Sequence, residues 1–258
     1  MITTNYVDSS IFVVMKKLTI LLVLTGAGFA ASAQNFGLSF SYFIPKNGYA
    51  STPVSPFSIR GVGVNINRFL AIQTGASLYR MAGLAMKDLP IASKDPFVGP
   101  NFTLFVPAEL VIQAVKGSNV QLDIKGGGFF FYGMGQRLNY GNIDQSIRTL
   151  ENYAVANANF TYKNNPGFGY YGGAELTVKV TREVAVSLEW NYLVGQSKLP
   201  LTGSYTGAKS PTAGTTTTTL ETTTINYSDA KIDFTGSEFS IGLIFSSGGG
   251  GGKQKRRR

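Results

Sequence analysis

Residues 184–195 read VAVSLEWNYLVG, and apolar and polar side chains alternate along this stretch. The even-numbered positions from Val184 to Val194 carry aliphatic or aromatic side chains, whereas positions 185, 187, 189 and 191 carry Ala, Ser, Glu and Asn. Successive side chains of a β-strand point to opposite faces of the sheet. A period of two over this length therefore predicts a strand with one apolar and one polar face.

The same alternation recurs along the chain. It is clear at 35–44, 69–82 and 238–245, and less regular at 57–67, 102–113, 120–133 and 168–180. Pro107 and the run Gly126–Gly128 predict irregular or tightly curved positions in their strands. Together with 184–195 these segments make eight predicted strands. A tilted strand needs about 9–11 residues to cross a membrane, and these lengths suit that task.

The connections between the predicted strands alternate between long and short. The long ones are 45–56, 83–101, 134–167 and 196–233, and the short ones lie at 67–68, 116–119 and 181–183. Bacterial outer-membrane barrels have short periplasmic turns and longer extracellular loops. We therefore expect an all-β fold, an eight-stranded antiparallel up-and-down transmembrane β-barrel in the bacterial outer membrane. Its long loops are then extracellular, and both termini are periplasmic.

A soluble up-and-down barrel of the lipocalin type is the rival fold, because it has a similar number of strands. The polar faces of the predicted strands distinguish the two. They consist largely of Gly, Ser, Ala and Asn, and charged residues make up 14% of the chain. A face exposed to water normally carries more Lys and Glu. The composition favours a membrane barrel whose small polar side chains fill a narrow lumen.

The N-terminal residues predict export. A positive start at Met15–Lys17 precedes the apolar run 18–24, and small residues follow as far as Ala31–Ala33. This order is typical of a cleavable signal peptide, and the apolar run is shorter than the roughly 20 residues of a membrane-spanning helix. We expect an N-terminal extension and signal peptide at 1–33, the barrel at 34–245 and a flexible, Gly-rich basic tail at 246–258. Met1 and Met15 both remain possible starts of translation.

Three segments resemble the small outer-membrane β-barrel families of Gram-negative bacteria, OmpA-like and PorT-like. They are Val62–Leu70, Gly172–Leu176 and Phe239–Phe245, and the resemblance extends over 35–245. Such families commonly end in an aromatic residue that the barrel-assembly machinery recognises. The resemblance implies this role for Phe245, although 13 residues (258 − 245) follow it here.

The chain has no His and no Cys. Ser-His-Asp and Cys-His catalysis are therefore excluded, as are disulfide bonds and the commonest ligands of transition metals. No sequence motif indicates a cofactor or a metal site, and we expect no enzymatic activity. Five of the positive charges behind the net charge of +9 lie in the tail, at Lys253, Lys255 and 256–258. No basic stripe interleaved with aromatic residues suggests nucleic acid binding.

Several charged residues fall on the polar faces of the predicted strands. Counting alternate positions along each strand (its parity) gives Glu109, Asp123, Lys125, Glu175, Lys179, Glu189 and Glu238. Buried charges must pair, so we expect an ion-pair network that plugs the lumen. The alternative is a narrow or gated ion path lined by Glu175, Glu189 and Lys179.

Arg60 tests the predicted barrel. Simple parity places it beside Val62 on the lipid face, where an Arg costs about 2–4 kcal/mol at mid-membrane. A bulge at Gly61 would instead turn Arg60 into the lumen and leave Phe57 and Ile59 facing lipid. We therefore expect the bulge and count Arg60 among the lumen charges.

The remaining predictions concern the rim and the loops. Arg80 lies on the apolar face at the loop end of its strand, from which it could reach a lipopolysaccharide phosphate or water. The aromatic residues at 129–132 and 170–171 are expected in an interfacial girdle. The Thr-rich stretch 215–224 is expected in an extracellular loop or a strand extension. The basic tail could contact anionic lipid or a periplasmic partner, and a disordered tail without a partner is an equal alternative.

Three functions remain open at this point. The leading hypothesis is a barrel with a structural or surface-binding role and a largely plugged lumen. A small or gated pore for ions or small solutes is the alternative. An outer-membrane enzyme that uses carboxylate, Lys, Ser or Tyr side chains is a distant third.

Overall fold

The computed structural model describes residues 35–47, 53–81, 83–91, 95–99, 101–209 and 219–246. The predicted signal peptide, the tail beyond Ser246 and Thr215–Thr218 lie outside the described residues. Within them, no helix is long and apolar enough to cross a membrane.

The described residues form thirteen strands and one helix. In chain order they are β1 (Asn35–Pro45), β2 (Val54–Asn65), β3 (Leu70–Met81), β4 (Met86–Lys87), β5 (Asn101–Lys116), β6 (Val120–Met134), α1 (Tyr140–Glu151), β7 (Val155–Tyr162), β8 (Gly167–Lys179), β9 (Val184–Lys198), β10 (Leu201–Ala208), β11 (Glu221–Tyr227), β12 (Lys231–Asp233) and β13 (Gly236–Ser246).

Eight of these strands close into a barrel. Each pairs antiparallel with its neighbours in the order β13-β1-β2-β3-β5-β6-β8-β9, and β13 also pairs with β9, which completes the ring. The predicted eight-stranded antiparallel barrel is thereby confirmed. One end carries the three short turns together with Asn35 and Ser246, and we call it the turn end. The opposite end carries the long connections and is called the loop end.

The two faces of the barrel strands differ as the alternation predicts. The outer face exposes large apolar side chains, among them Leu38, Phe40, Ile72, Leu110, Ile112, Ile124, Leu188, Trp190, Ile241 and Leu243. The lumen buries Ser, Asn and charged side chains. A soluble barrel would place its apolar face inside, so the partition excludes the lipocalin-like alternative. An apolar outer band on a closed barrel is the signature of a membrane-spanning barrel.

The long connections contain more structure than the sequence predicts. A loop is predicted over 134–167 and again over 196–233, but these regions hold α1 and a sheet in the order β11-β10-β7. Ile143 and Ile147 of α1 are buried against Phe160 of β7 and Tyr205 of β10. We call α1 with this three-stranded sheet the cap.

The helix of the cap has a weak local signal, which explains why the sequence predicts only a loop over 134–167. The strand extension expected within 215–224 is present from Glu221 onward as part of β11. The helix begins at an Asn139 cap, whose side chain accepts a hydrogen bond from Asn142 N, and it ends at a left-handed Asn152. Ile143 and Ile147 are its buried apolar residues, Leu150 is exposed, and most of its other residues are polar. A helix with so few apolar positions does not stand out from a polar loop.

Candidate functional site in the barrel lumen

Arg60 reaches the lumen through a bulge in β2. The register between β2 and β3 shifts between the Ile59–Ala76 pair and the Val62–Thr74 pair, and Gly61 has φ +70°. Glycine adopts this left-handed backbone without a Cβ clash. Arg60 is consequently 5% exposed, whereas Phe57 on the outer face is 78% exposed. The bulge is therefore present at the expected residue.

The Arg60 guanidinium forms an ion pair with Glu238 of β13. The Tyr79 hydroxyl donates a hydrogen bond to the same carboxylate. Asn191 Nδ2 donates to the other oxygen, Glu238 Oε2, at 2.8 Å. Four strands, β2, β3, β9 and β13, thus converge on one buried carboxylate. A buried carboxylate is stable only when it is paired and hydrogen-bonded, and Glu238 has one cationic partner and two neutral donors.

Lys125 of β6 is the centre of a second group. Its Nζ lies 2.6 Å from Glu175 Oε2, 3.2 Å from Glu189 Oε1 and 3.8 Å from Glu109 Oε1. The Tyr171 hydroxyl donates to Glu109 Oε2 at 2.5 Å. The Lys125 side chain is 1% exposed, so its charge is compensated by these carboxylates alone among the described residues.

Asn191 joins the two groups, because its Nδ2 also donates to Glu189 Oε1 at 2.9 Å. We call the connected set the charged layer; it comprises Arg60, Tyr79, Glu109, Lys125, Tyr171, Glu175, Glu189, Asn191 and Glu238. Its two cations face four carboxylates. The sequence patterns overlook Tyr79, Tyr171 and Asn191 as members, although each has the lumen parity of its strand.

Two of the predicted lumen charges lie outside this set. Asp123 is buried toward the turn end, and its two carboxylate oxygens accept hydrogen bonds from Gln121 Nε2 at 2.9 and 2.8 Å. Lys179 is exposed at the turn end of β8. The amine that contacts Glu175 and Glu189 is that of Lys125. Lys179 lines a cavity together with Glu175 but without Glu189, and the ion path stays a prediction.

An aromatic plug fills the lumen at the loop end, and it comprises Phe43, Phe105, Phe129, Phe131 and Phe234. Phe234 lies between β12 and β13 and stacks on Phe43, with ring centroids 4.6 Å apart and planes 5° apart. Its ring also stacks on Phe131 at 4.6 Å and 23°. Such contacts between buried rings add to the free energy of burial.

Part of the predicted aromatic girdle is therefore wrong. Phe129, Phe131 and Tyr171 point into the lumen, because the period of two turns every second residue of each run inward. Tyr170 remains on the outer face. Phe130 also remains outside, where its ring lies 5.6 Å from that of Phe168.

A cavity of about 100 Å³ enters the barrel from the turn end. Its wall includes Ser39, Arg60, Asp123, Glu175 and Thr177, and Ser246 lies at its mouth. We call it the turn-side cavity. The charged layer and the aromatic plug separate it from the loop end.

Two predicted residues lie on the outside of the barrel. Arg80 is exposed at the loop end of β3, opposite Val54 and Phe102. Phe245 lies on the outer face, one residue before the end of β13, and pairs with Phe36. Contact of Arg80 with lipopolysaccharide and recognition of Phe245 by the assembly machinery stay predictions.

No protein-family model matches the chain, and no curated protein matches it. Its structure is similar to that of the outer membrane protein OprG from Pseudomonas aeruginosa, with 11% identity, 83% of this chain and 95% of that chain covered, and a TM-score of 0.45. It is also similar to Ail, the attachment invasion locus protein of Yersinia pestis (10% identity, coverage 82% and 94%, TM-score 0.35).

A third similar structure is a major outer membrane protein from Thermus thermophilus (9% identity, coverage 82% and 98%, TM-score 0.38). At these identities and TM-scores no function is transferred from those proteins to this chain. The resemblance to OmpA-like and PorT-like families likewise stays a prediction.

Proposed function

We propose that this chain is a non-enzymatic protein of the bacterial outer membrane. In this proposal a closed barrel holds the cap at the cell surface, where the cap binds an external partner. The closed lumen carries the proposal: the charged layer and the aromatic plug occupy successive levels of the barrel. A pore would need a continuous aqueous path through both.

The apolar outer band supports the membrane location, since residues such as Leu188 and Trp190 remain exposed on a barrel that has no open edge. Such a surface is stable when lipid covers it. With the loop end outward, Arg80 lies at the level of lipopolysaccharide phosphates and the turn end faces the periplasm.

The outward face of the cap supports the surface-binding role. Three cross-strand rows of short uncharged side chains cover it, namely Thr161–Thr202–Asn226, Asn159–Ser204–Thr224 and Asn157–Thr206–Thr222. The hydroxyls of Thr161 and Thr202 lie 3.0 Å apart, and those of Thr206 and Thr222 lie 2.9 Å apart. This array offers hydrogen-bond donors and acceptors without any net charge.

Fractionation of the expressing cell tests the location, combined with gel mobility before and after boiling. The folded protein should appear in the outer-membrane fraction and migrate differently when boiled. A protein found in the soluble fraction, with the same mobility in both states, would contradict the proposed location.

Planar-bilayer recording tests whether the lumen is closed. The full chain should produce no discrete current steps. The same recording is made on a variant with Phe131→Ala and Phe234→Ala. This variant lacks two stacked rings of the plug but has the same chain length and charge as the unmodified chain. Regular steps from the unmodified chain, altered in size by Lys125→Gln, would favour the pore instead.

A further inference from the structure

The described interior of the barrel carries more negative than positive charge. Five carboxylates, those of Glu109, Asp123, Glu175, Glu189 and Glu238, are buried there together with two cations, Arg60 and Lys125. Asp123 is 5% exposed, lines the turn-side cavity and forms no salt bridge within the described residues. An excess of buried negative charge in a site of low dielectric constant attracts a cationic group strongly.

The same cavity also presents unused hydrogen-bonding groups. Ser39 Oγ, Arg60 Nε and Arg60 Nη1 are buried and have no hydrogen-bond partner among the described residues. The two Arg60 groups are donors and need an acceptor. A simple cation could compensate Asp123 but could not satisfy Arg60. A basic peptide could do both, because its side chains are cationic and its backbone carbonyls are acceptors.

A basic peptide is tethered at the mouth of this cavity. Ser246, which lines the mouth, is followed by Gly248–Gly252 and then by the basic residues Lys253, Lys255 and 256–258. We propose that this basic tail, 253–258, binds inside the turn-side cavity, with a Lys or Arg side chain at Asp123 and a backbone carbonyl at Arg60.

The length of the connection fits this assignment. Lys253 follows Ser246 by seven residues (253 − 246), which span at most about 25 Å when fully extended. Asp123 pairs in register with Glu175, Glu175 with Glu189, and Glu189 with Ser240. Ser240 precedes Ser246 by six residues (246 − 240), or about 20 Å along the strand. The tail can therefore reach the level of Asp123.

Two cations at the rim oppose the binding. Lys179 and Arg182 line the mouth of the cavity, and both are exposed. Their repulsion of the tail is screened by salt over a distance of about 8 Å, whereas the buried Asp123 is screened much less. Salt therefore weakens the repulsion at the rim more than it weakens the attraction to Asp123.

Disulfide formation in the full-length protein tests the proposal. The chain has no Cys, so the pair T177C and Q254C can form a single intramolecular disulfide. Thr177 lies on the cavity wall, whereas Ser118 is exposed in the turn between β5 and β6 and serves as the matched control in the pair S118C and Q254C. The pair Q113C and Q254C probes a second wall position if T177C does not fold, and heat-dependent gel mobility identifies the folded variants.

We expect the cavity pair to form its disulfide at least about tenfold faster than the control pair, because a bound tail has a higher local concentration at the wall. Replacing the five basic tail residues with Gln, or Asp123→Asn, should remove most of this advantage. Equal rates for the cavity and control pairs would overturn the proposal. An advantage that survives both the Gln tail and Asp123→Asn would overturn it too, since charge would then not hold the tail.

Discussion

Lys125→Met removes the cation that compensates three buried carboxylates while keeping a side chain of similar length. The amine lies within 4 Å of Glu109, Glu175 and Glu189 and is almost completely buried. Removal of one partner from a single buried ion pair typically costs about 3–5 kcal/mol. Three carboxylates lose their partner here. We therefore expect the free energy of unfolding to fall by at least about 4 kcal/mol.

Denaturant titration of the refolded barrel in lipid vesicles measures this change. Trp190 is the single Trp of the chain and is 46% exposed on the outer face, so its fluorescence reports insertion into lipid. Lys116→Met is the matched control, since Lys116 is an exposed residue at the turn end of β5 with a hydrogen bond to Gln113 Oε1 of 3.1 Å. We expect the control to lose no more than about 0.5 kcal/mol.

A second substitution isolates the ion pair from general packing effects. In Lys125→Met with Glu175→Gln, one of the uncompensated carboxylates is neutral, so part of the lost stability should return. Interaction energies between residues in contact are about 0.5–3 kcal/mol, and we expect recovery within this range. If Lys125→Met lost no more stability than Lys116→Met, the charged layer could not be an ion-pair network that holds the barrel together.

Three further predictions concern the plug, the bulge and the cap. Phe234→Ala should cost about 3–5 kcal/mol in the same titration, because it leaves a cavity among stacked rings; a loss below about 1 kcal/mol would mean that the plug does not stabilise the barrel. Gly61→Ala should lower the free energy of unfolding by about 1–2 kcal/mol, since a φ of +70° is unfavourable for any residue with a Cβ. Gly128→Ala is the control and should cost less, because a Cβ at this position meets no atom closer than 3.5 Å. Equal losses in the two variants would refute backbone strain as the cause. The hydrogen bond to Glu221 raises the pKa of Tyr153 to about 12. Its stabilisation of the cap is then complete below the unfolded value of 10.0 and is lost as the pH rises toward about 12. The chain has 13 Tyr, so the near-ultraviolet titration of Tyr153→Phe is subtracted from that of the parent, and the difference should show one tyrosine that ionises near pH 12. A difference centred near pH 10 would contradict the prediction.

Much of the barrel could be predicted from the alternation of side chains alone. Each residue of a strand lies on one of two faces. The alternation in a run such as 184–195 therefore predicts which of its residues face the lumen, even when the neighbouring strands are unknown. The location of Glu189 and Glu238 on the polar face follows in this way, and so does the need for a bulge beside Arg60. The difference between long and short connections similarly predicts which residues meet at each end.

The contacts within the site could not be predicted in this way. Parity places Lys125, Glu175 and Lys179 on the same face, but the register of β6 against β8 and β9 brings Lys125 to the carboxylates and leaves Lys179 at the rim. Register depends on the pairing of all eight strands around a closed ring, which is a property of the whole barrel and not of any segment.

The sequence by itself determined that this chain forms strands with one apolar and one polar face, and how their charges divide between the two. The tertiary structure decided that Phe234 enters the lumen from a connection and that α1 and three short strands form a cap. Those elements lack a strong local pattern, because their apolar residues are few and are buried against partners distant in the chain. Their positions are therefore set by packing, while the barrel strands carry their own periodic signal.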